Sequence, residues 1–279
     1  MMLFNKQLLL VMDQQDQACL ALQRSRLIAS RLKCPIEIVW VGDDAEKASQ
    51  LVIQLESEGI AASFRCTPRS KLLKLLEELW SQQHFGVLIK SCDPRKSGFM
   101  TSLDGRILRD LPCPVLMVKH GHLWREGVVM AAVDPLTTDH HQQRLNDDLL
   151  KVADQIAQVT NANLVGAIAC PSPMMGADPQ LQSAVLIEKQ ARGAMQQLLS
   201  QLALKVETLA VGEGPAEHWI PNAADQLDAR LVVIGTRAHG GLKGALLGNT
   251  AERILPRLDC DILVLRAGFS EGLVPILKQ

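Results

Sequence analysis

A duplication constrains this chain more than any other feature. "RILRDLPCPVLMVK" at 106–119 returns as "RILPRLDCDILVLR" at 253–266, with Arg, Ile, Leu, Leu and Cys at the same offsets. Each copy closes a series of five short apolar runs. In the first half these are "QLLLVM" (7–12), "IEIVWV" (36–41), "AASFRC" (61–66), "GVLIKS" (86–91) and "PVLMVK" (114–119). In the second they are "GVVMAAV" (127–133), "NLVGAIA" (163–169), "KVETLAV" (205–211), "LVVIGT" (231–236) and "DILVLR" (261–266). Amphipathic stretches such as "ALQRSRLIASRL" and "NDDLLKVADQIAQV" lie between them. Near-continuous apolar strands alternating with helices predict a parallel sheet covered by helices on both faces. Its crossovers are then right-handed. The first run of each half ends in an acid, Asp13 in "LLLVMD" and Asp134 in "MAAVD". The chain therefore reads as two five-stranded α/β units, 1–120 and 126–279, joined by the linker "HGHLWREG" (120–127). Tandem duplication predicts that they pack about a pseudo-two-fold axis, as a pseudo-dimer within one chain.

Composition narrows the class. The hydrophobic share is 47% and the charged share 21%, which is that of a globular protein. Residues 1–122 carry 16 basic against 13 acidic residues, and residues 123–279 carry 13 against 17. Neither half has the basic surplus of a dedicated nucleic-acid binder. Seven cysteines, with no CxxC pair, sit mostly in apolar runs and read as buried small hydrophobes. They lack the spacing of a zinc site or a disulfide framework. "MMLFNKQLLLVMDQ" lacks the long apolar core and cleavage pattern of a signal peptide. No stretch reaches the roughly 20 apolar residues of a membrane span. The expected location is the cytoplasm.

The stretch "VVIGTRAHGGLKGALLGNTAERIL" (232–255) joins a strand, a glycine-rich loop and a helix start. In a parallel sheet, ligands bind at the carboxyl ends of strands, where the loops diverge. A helix beginning near Asn249 would aim free N–H groups and its positive dipole end at that place, which suits an anion. Gly235, Gly240, Gly241, Gly244 and Gly248 let the backbone approach closely. Arg237, His239 and Lys243 would add positive charge. On the residues alone a flexible turn with solvated basic side chains stands beside phosphate binding, because a lone glycine-rich turn is a weak motif.

"GTRAHGGLKGALLGNTAERIL...CDILVL" resembles the signature loop of the universal stress protein family, and the whole chain is similar to its tandem, E-type members. Nucleotide-binding relatives show Gly, two residues, Gly, nine residues, Gly, then Ser or Thr. Gly235 matches the first glycine and Gly248 the third; Ala238 replaces the second, Asn249 replaces the Ser/Thr, and Thr250 follows one residue late. Asp134 matches the acid that contacts adenine or ribose. The resemblance implies a Rossmann-like fold and a stress-response role read out through protein partners or a homodimer. It also implies binding of ATP or a related adenine nucleotide, with or without Mg, in the second unit. Asp134 would touch ribose or base, the backbone of Gly235, Ala238, Gly240, Gly241, Gly248, Asn249 and Thr250 would cradle phosphates, and Arg237 and Lys243 would neutralise charge. Asn249 would still cap its helix. In family members the fifth strand often pairs across a dimer interface, so the two halves are expected to pair this way.

The first half departs further. In "KSCDPRKSGFMTSLDG" (90–105), Lys90 aligns with Gly235, the loop is two residues shorter, and Thr101 and Ser102 take the places of Gly248 and Asn249. It is expected to be degenerate for nucleotide. Asp13 alone argues little, since a strand-end Asp often caps the next turn.

Asp139, His140 and His141 are adjacent, point apart on a helix, and read as a solvated helix start rather than a metal site. No GxSxG elbow, HExxH or P-loop is present, and no nucleophile–base pair stands out. The expectation is a binding protein and not an enzyme. Segment 170–187 carries Pro171, Pro173 and Pro179 and reads as a loop leading into a helix that ends near Leu202. Its Met174, Met175, Leu181, Val185 and Leu186 are placed to line an apolar pocket beside the strand ends, a lid or groove for a hydrophobic ligand. Ala238 and Asn249 favour the alternative to nucleotide binding: an interaction scaffold whose pocket is vestigial or holds an apolar ligand.

Overall fold

The computed structural model describes all residues except 1–2, 4–5, 14–15, 17, 83–84, 93–101, 174–182, 237–246 and 269–279. The described residues fall into two compact units, 3–121 and 122–236 with 247–268.

The first unit runs β1 (Gln7–Asp13), α1 (Leu20–Leu32), β2 (Ile36–Val41), α2 (Ala45–Ser57), β3 (Ala62–Thr67), α3 (Leu72–Gln82), β4 (Phe85–Ser91), α4 (Leu103–Asp110) and β5 (Val115–Val118). The second runs β6 (Val128–Ala132), α5 (His140–Thr160), β7 (Asn163–Cys170), α6 (Ala184–Leu202), β8 (Thr208–Glu213), α7 (Ala216–Gln226), β9 (Ala229–Thr236), α8 (Asn249–Ile254) and β10 (Asp261–Arg266). Strand order is β3-β2-β1-β4-β5 in the first and β8-β7-β6-β9-β10 in the second, the same order twice. The ladders within both units are parallel. All ten expected strands form, and the boundaries of β2 and β10 coincide with the apolar runs. The inner strands β1, β4 and β9 are buried along nearly their whole length, as two-sided coverage requires. The edge strands are less covered: β3 alternates between exposed and half-buried along Ser63, Phe64 and Arg65, and β8 is half-buried between exposed ends.

The order explains where a ligand fits. The chain leaves β1 toward β2 and β3 and then returns past β1 to β4, and it does the same about β6 with β7, β8 and β9, so strand order reverses at the carboxyl ends of β1 and β6. Helix α5 is the second unit's main cover. Its Leu145, Leu149, Val152 and Ile156 recur at helical spacing and are buried against β6, β7 and β9. Asp139 caps it, accepting from the N–H groups of His141 (2.8 Å) and Gln142 (3.4 Å), and Asn161 ends it in the left-handed region at φ 52°. The Asp-His-His segment is thus an exposed helix start.

The segment expected as a linker is anchored. The Trp124 indole is fully buried and donates from Nε1 to Oδ2 of buried Asp261 at 2.8 Å. Gly127 accepts from Asn163, and Glu126 donates to Asn161. Residues 122–127 therefore belong to the second unit.

None of the seven cysteines forms a disulfide. Five are buried, as expected, but Cys66 on edge strand β3 is exposed and Cys19 is half-buried. Burial pushes the Cys34 thiol up to about 11 and also raises that of Cys170. Native-state iodoacetamide labelling at pH 8, read by mass spectrometry, is expected to modify Cys66 first and to spare Cys34 and Cys170. Rapid labelling of either buried thiol would contradict this burial.

Candidate functional site

The site is built from the ends of β6 and β9 and the start of α8. Beyond the Ala131–Val233 pair, Asp134 and Thr236 each lie three residues further along neighbouring parallel strands. The chain after Asp134 is clamped by Asn146, buried on α5. Asn146 Nδ2 donates to the Asp134 carbonyl at 2.7 Å, and its Oδ1 accepts from the Asp134 N–H at 3.2 Å. Gln142 Nε2 donates to the same Oδ1 at 3.1 Å. The backbone is thus satisfied by side chains. The Asp134 carboxylate is exposed, and no hydrogen bond or ion pair reaches it among the described residues. Asn146 carries no motif; only its place one residue after the buried Leu145 could have hinted at it.

Thr236 Oγ1 accepts from the Gly248 N–H at 3.0 Å, which joins the end of β9 to the start of α8 across the intervening loop. Gly248 is the N-cap of α8, at φ −63° and ψ 143°. Asn249 is therefore the first helical residue and not the cap expected from the sequence; the Thr236 bond turns the chain into the helix one residue earlier. Asn249 and Thr250 are exposed, and as first-turn residues their N–H groups have no intrahelical acceptor. Helix α8 is braced from outside. Pro221 inside α7 cannot donate to the Glu217 carbonyl, and Arg257 Nη1 does so instead at 3.0 Å. The Glu217 carboxylate meets Arg253 of α8 at 3.1 Å; its hydrogen bond to its own backbone N–H, and after it the bond to Arg253, hold it below the usual carboxylate range.

Gly235 lies on the same strand end, but its missing side chain serves packing. A Cβ there would stand 2.5 Å from Leu145 Cδ2 and 3.2 Å from Leu149 Cδ1 of α5. Of the expected site residues, Asp134, Gly235, Gly248, Asn249 and Thr250 are brought together at one end of the second sheet. Arg237, Ala238, Gly240, Gly241 and Lys243 lie outside the described residues, as do Met174, Met175 and Leu181.

The first unit is different at the same places. Ser91 pairs with Val118 as Gly235 pairs with Leu265. Ser91, not Lys90, therefore stands where Gly235 does, and the first loop is three residues shorter rather than two. Lys90 takes the place of Ile234, and its buried ammonium lies 2.9 Å from Asp104 Oδ1 of α4 and donates to the Ser91 carbonyl at 2.8 Å. The Asp104 contact is an ion pair outside hydrogen-bonding geometry. The Asp13 carboxylate is paired with Arg69, and Asp16 satisfies the start of α1, accepting from the N–H groups of Leu20 and Ala21 at 2.9 and 3.1 Å.

A parallel five-stranded α/β unit that occurs twice, with an acid and a helix start at the strand ends of the second, defines a Rossmann-like α/β class. The chain belongs to the universal stress protein family, whose model, described as "Universal stress protein family", matches residues 132–266. It is 33% identical to Universal stress protein E of Salmonella typhi over 184 residues, 62% of this chain and 58% of that one. The match thus spans less than two thirds of that relative's length. Two Pseudomonas aeruginosa structures follow it along nearly the whole chain at 30% identity. A functionally unknown protein of strain PAO1 has a TM-score of 0.80, over 96% of this chain and 95% of its own. A protein of strain UCBPP-PA14 assigned to the universal stress proteins has a TM-score of 0.79, over 97% and 96%. Among the described residues, no helix is long and apolar enough to cross a membrane.

Proposed function

We propose that the chain is a cytoplasmic stress-response protein that acts by binding. Its second unit would take an adenine nucleotide or a related phosphate-bearing ligand without turning it over. One observation carries this reading. Asp134 is held by its backbone through Asn146, yet its carboxylate is exposed and unpaired among the described residues, at the strand end beside the start of α8. A positioned free acid suits ribose hydroxyls or a base amino group. The free N–H groups of Asn249 and Thr250 suit a phosphate. Val185 and Leu186, 74% and 47% exposed at the start of α6, favour the second reading of a scaffold that presents an apolar surface.

Thermal unfolding with and without Mg-ATP, ADP and AMP tests this. Ligand at a hundred times its Kd stabilises by about 2.7 kcal/mol, a shift of roughly 5–10 °C for a unit of this size. Gly248→Trp and Asp134→Ala are each expected to abolish the shift. No shift at millimolar concentration of any of the three overturns nucleotide binding and leaves the scaffold.

A further inference from the structure

The acids that close β1 and β6 occupy the same place in the repeat, but different groups face them. The Asp13 carboxylate is only 4% exposed, and Arg69 Nη1 lies 2.5 Å from its Oδ2. Arg69 follows Pro68 in the 3₁₀ turn that leads from β3 into α3. Thr67 pairs with Val41, and Val41 with Asp13, so Arg69 reaches from the end of β3 over the end of β2 to the end of β1. That path crosses the place where the sheet opens to a ligand. The second unit has the same corner. Pro215 precedes α7 at φ −61° and ψ 138°, close to the −67° and 148° of Pro68, and the next residue is Ala216. With no long cation there, Asp134 stays exposed.

We propose that Arg69 is an internal occupant that closes the first unit's strand-end site, and that arginine against alanine at this corner decides which copy takes a ligand. The proposal rests on the reading of the second unit's strand end as a ligand site. Its physics is simple. A buried carboxylate needs a hydrogen-bonded or charged partner. Arg69 supplies one permanently, so the donors of a nucleoside find no free acceptor on Asp13. Asp134 is exposed and unpaired among the described residues, so there the donors of a nucleoside meet an open acceptor.

Two experiments separate the proposal from the reading beneath it. First, thermal unfolding of the full chain is followed in ethylguanidinium, a probe with the arginine head group and no nucleotide character. Arg69→Ala is expected to gain roughly 3–6 °C at ten times the probe's Kd. The parent chain and Arg69→Ala/Asp13→Asn are expected to gain nothing comparable. Arg69→Ser serves the same comparison if Arg69→Ala folds poorly. Equal responses in all three chains overturn the proposal, whether or not the protein binds nucleotide. Second, Ala216→Arg is expected to weaken stabilisation by AMP at least tenfold, while Ala216→Gln leaves it in place. An intact AMP response in Ala216→Arg likewise overturns the proposal. A parent chain with no nucleotide response defeats the reading of the second unit and leaves ethylguanidinium to decide on Arg69.

Discussion

Trp124→Ala is expected to destabilise the second unit by about 3–5 kcal/mol, the range for deleting a fully buried large aromatic side chain. That is a large part of a domain's typical ~5–15 kcal/mol. Two losses combine. The indole is among the largest fully buried side chains, and its Nε1–H is a partner of buried Asp261 at the start of β10. Asp261→Asn keeps an acceptor for the indole and is expected to cost less than Asp261→Ala, which strands a buried N–H at about 1–3 kcal/mol. Urea unfolding followed by tryptophan fluorescence and far-UV circular dichroism measures both. A Trp124→Ala chain within about 1 kcal/mol of the parent would mean that residues 122–127 are a linker after all.

Gly235→Ala is expected to cost about 1–3 kcal/mol by overpacking. Its new methyl group would fall 2.5 Å from Leu145 Cδ2, on the helix that covers the site. The neighbour Asn146 is the residue that holds the backbone of Asp134, so α5 cannot retreat without moving the acid. The variant is therefore expected to lose nucleotide stabilisation together with fold stability. Gly235→Ala/Leu145→Ala is expected to lose less than the sum of the two single variants, because the Leu145 side chain that clashes with the new methyl group is gone. The double-mutant cycle measures that coupling. Simple additivity would show that Gly235 is glycine for a reason other than α5.

The frame of the protein was legible because strands buried on both faces write themselves as near-continuous apolar runs. β1, β2, β4, β9 and β10 all read this way. The duplicated "RIL...C" segment then supplied the repeat. The site was legible in part. Asp134 and Gly248 stand at strand and helix ends, where residue type and local conformation are coupled. Other features were not readable. The one-residue error that set Lys90 against Gly235 arose because an alignment by similarity cannot see ladder register, whereas pairing with Val118 and Leu265 leaves no choice.

By itself the sequence determined two tandem parallel α/β units, their repetition, and the strand end of the second unit as the place to look. These follow from local periodicity and from short-range chain signals. Only the tertiary structure decided that Gly235 yields to Leu145, that Asn146 holds Asp134, that Trp124 belongs to Asp261, and that Arg69 covers Asp13 while Ala216 leaves Asp134 open. Each of these joins residues 12 to 137 positions apart in the chain. Such pairings are set by which side chains the folded backbone brings within contact distance, and no local pattern encodes that.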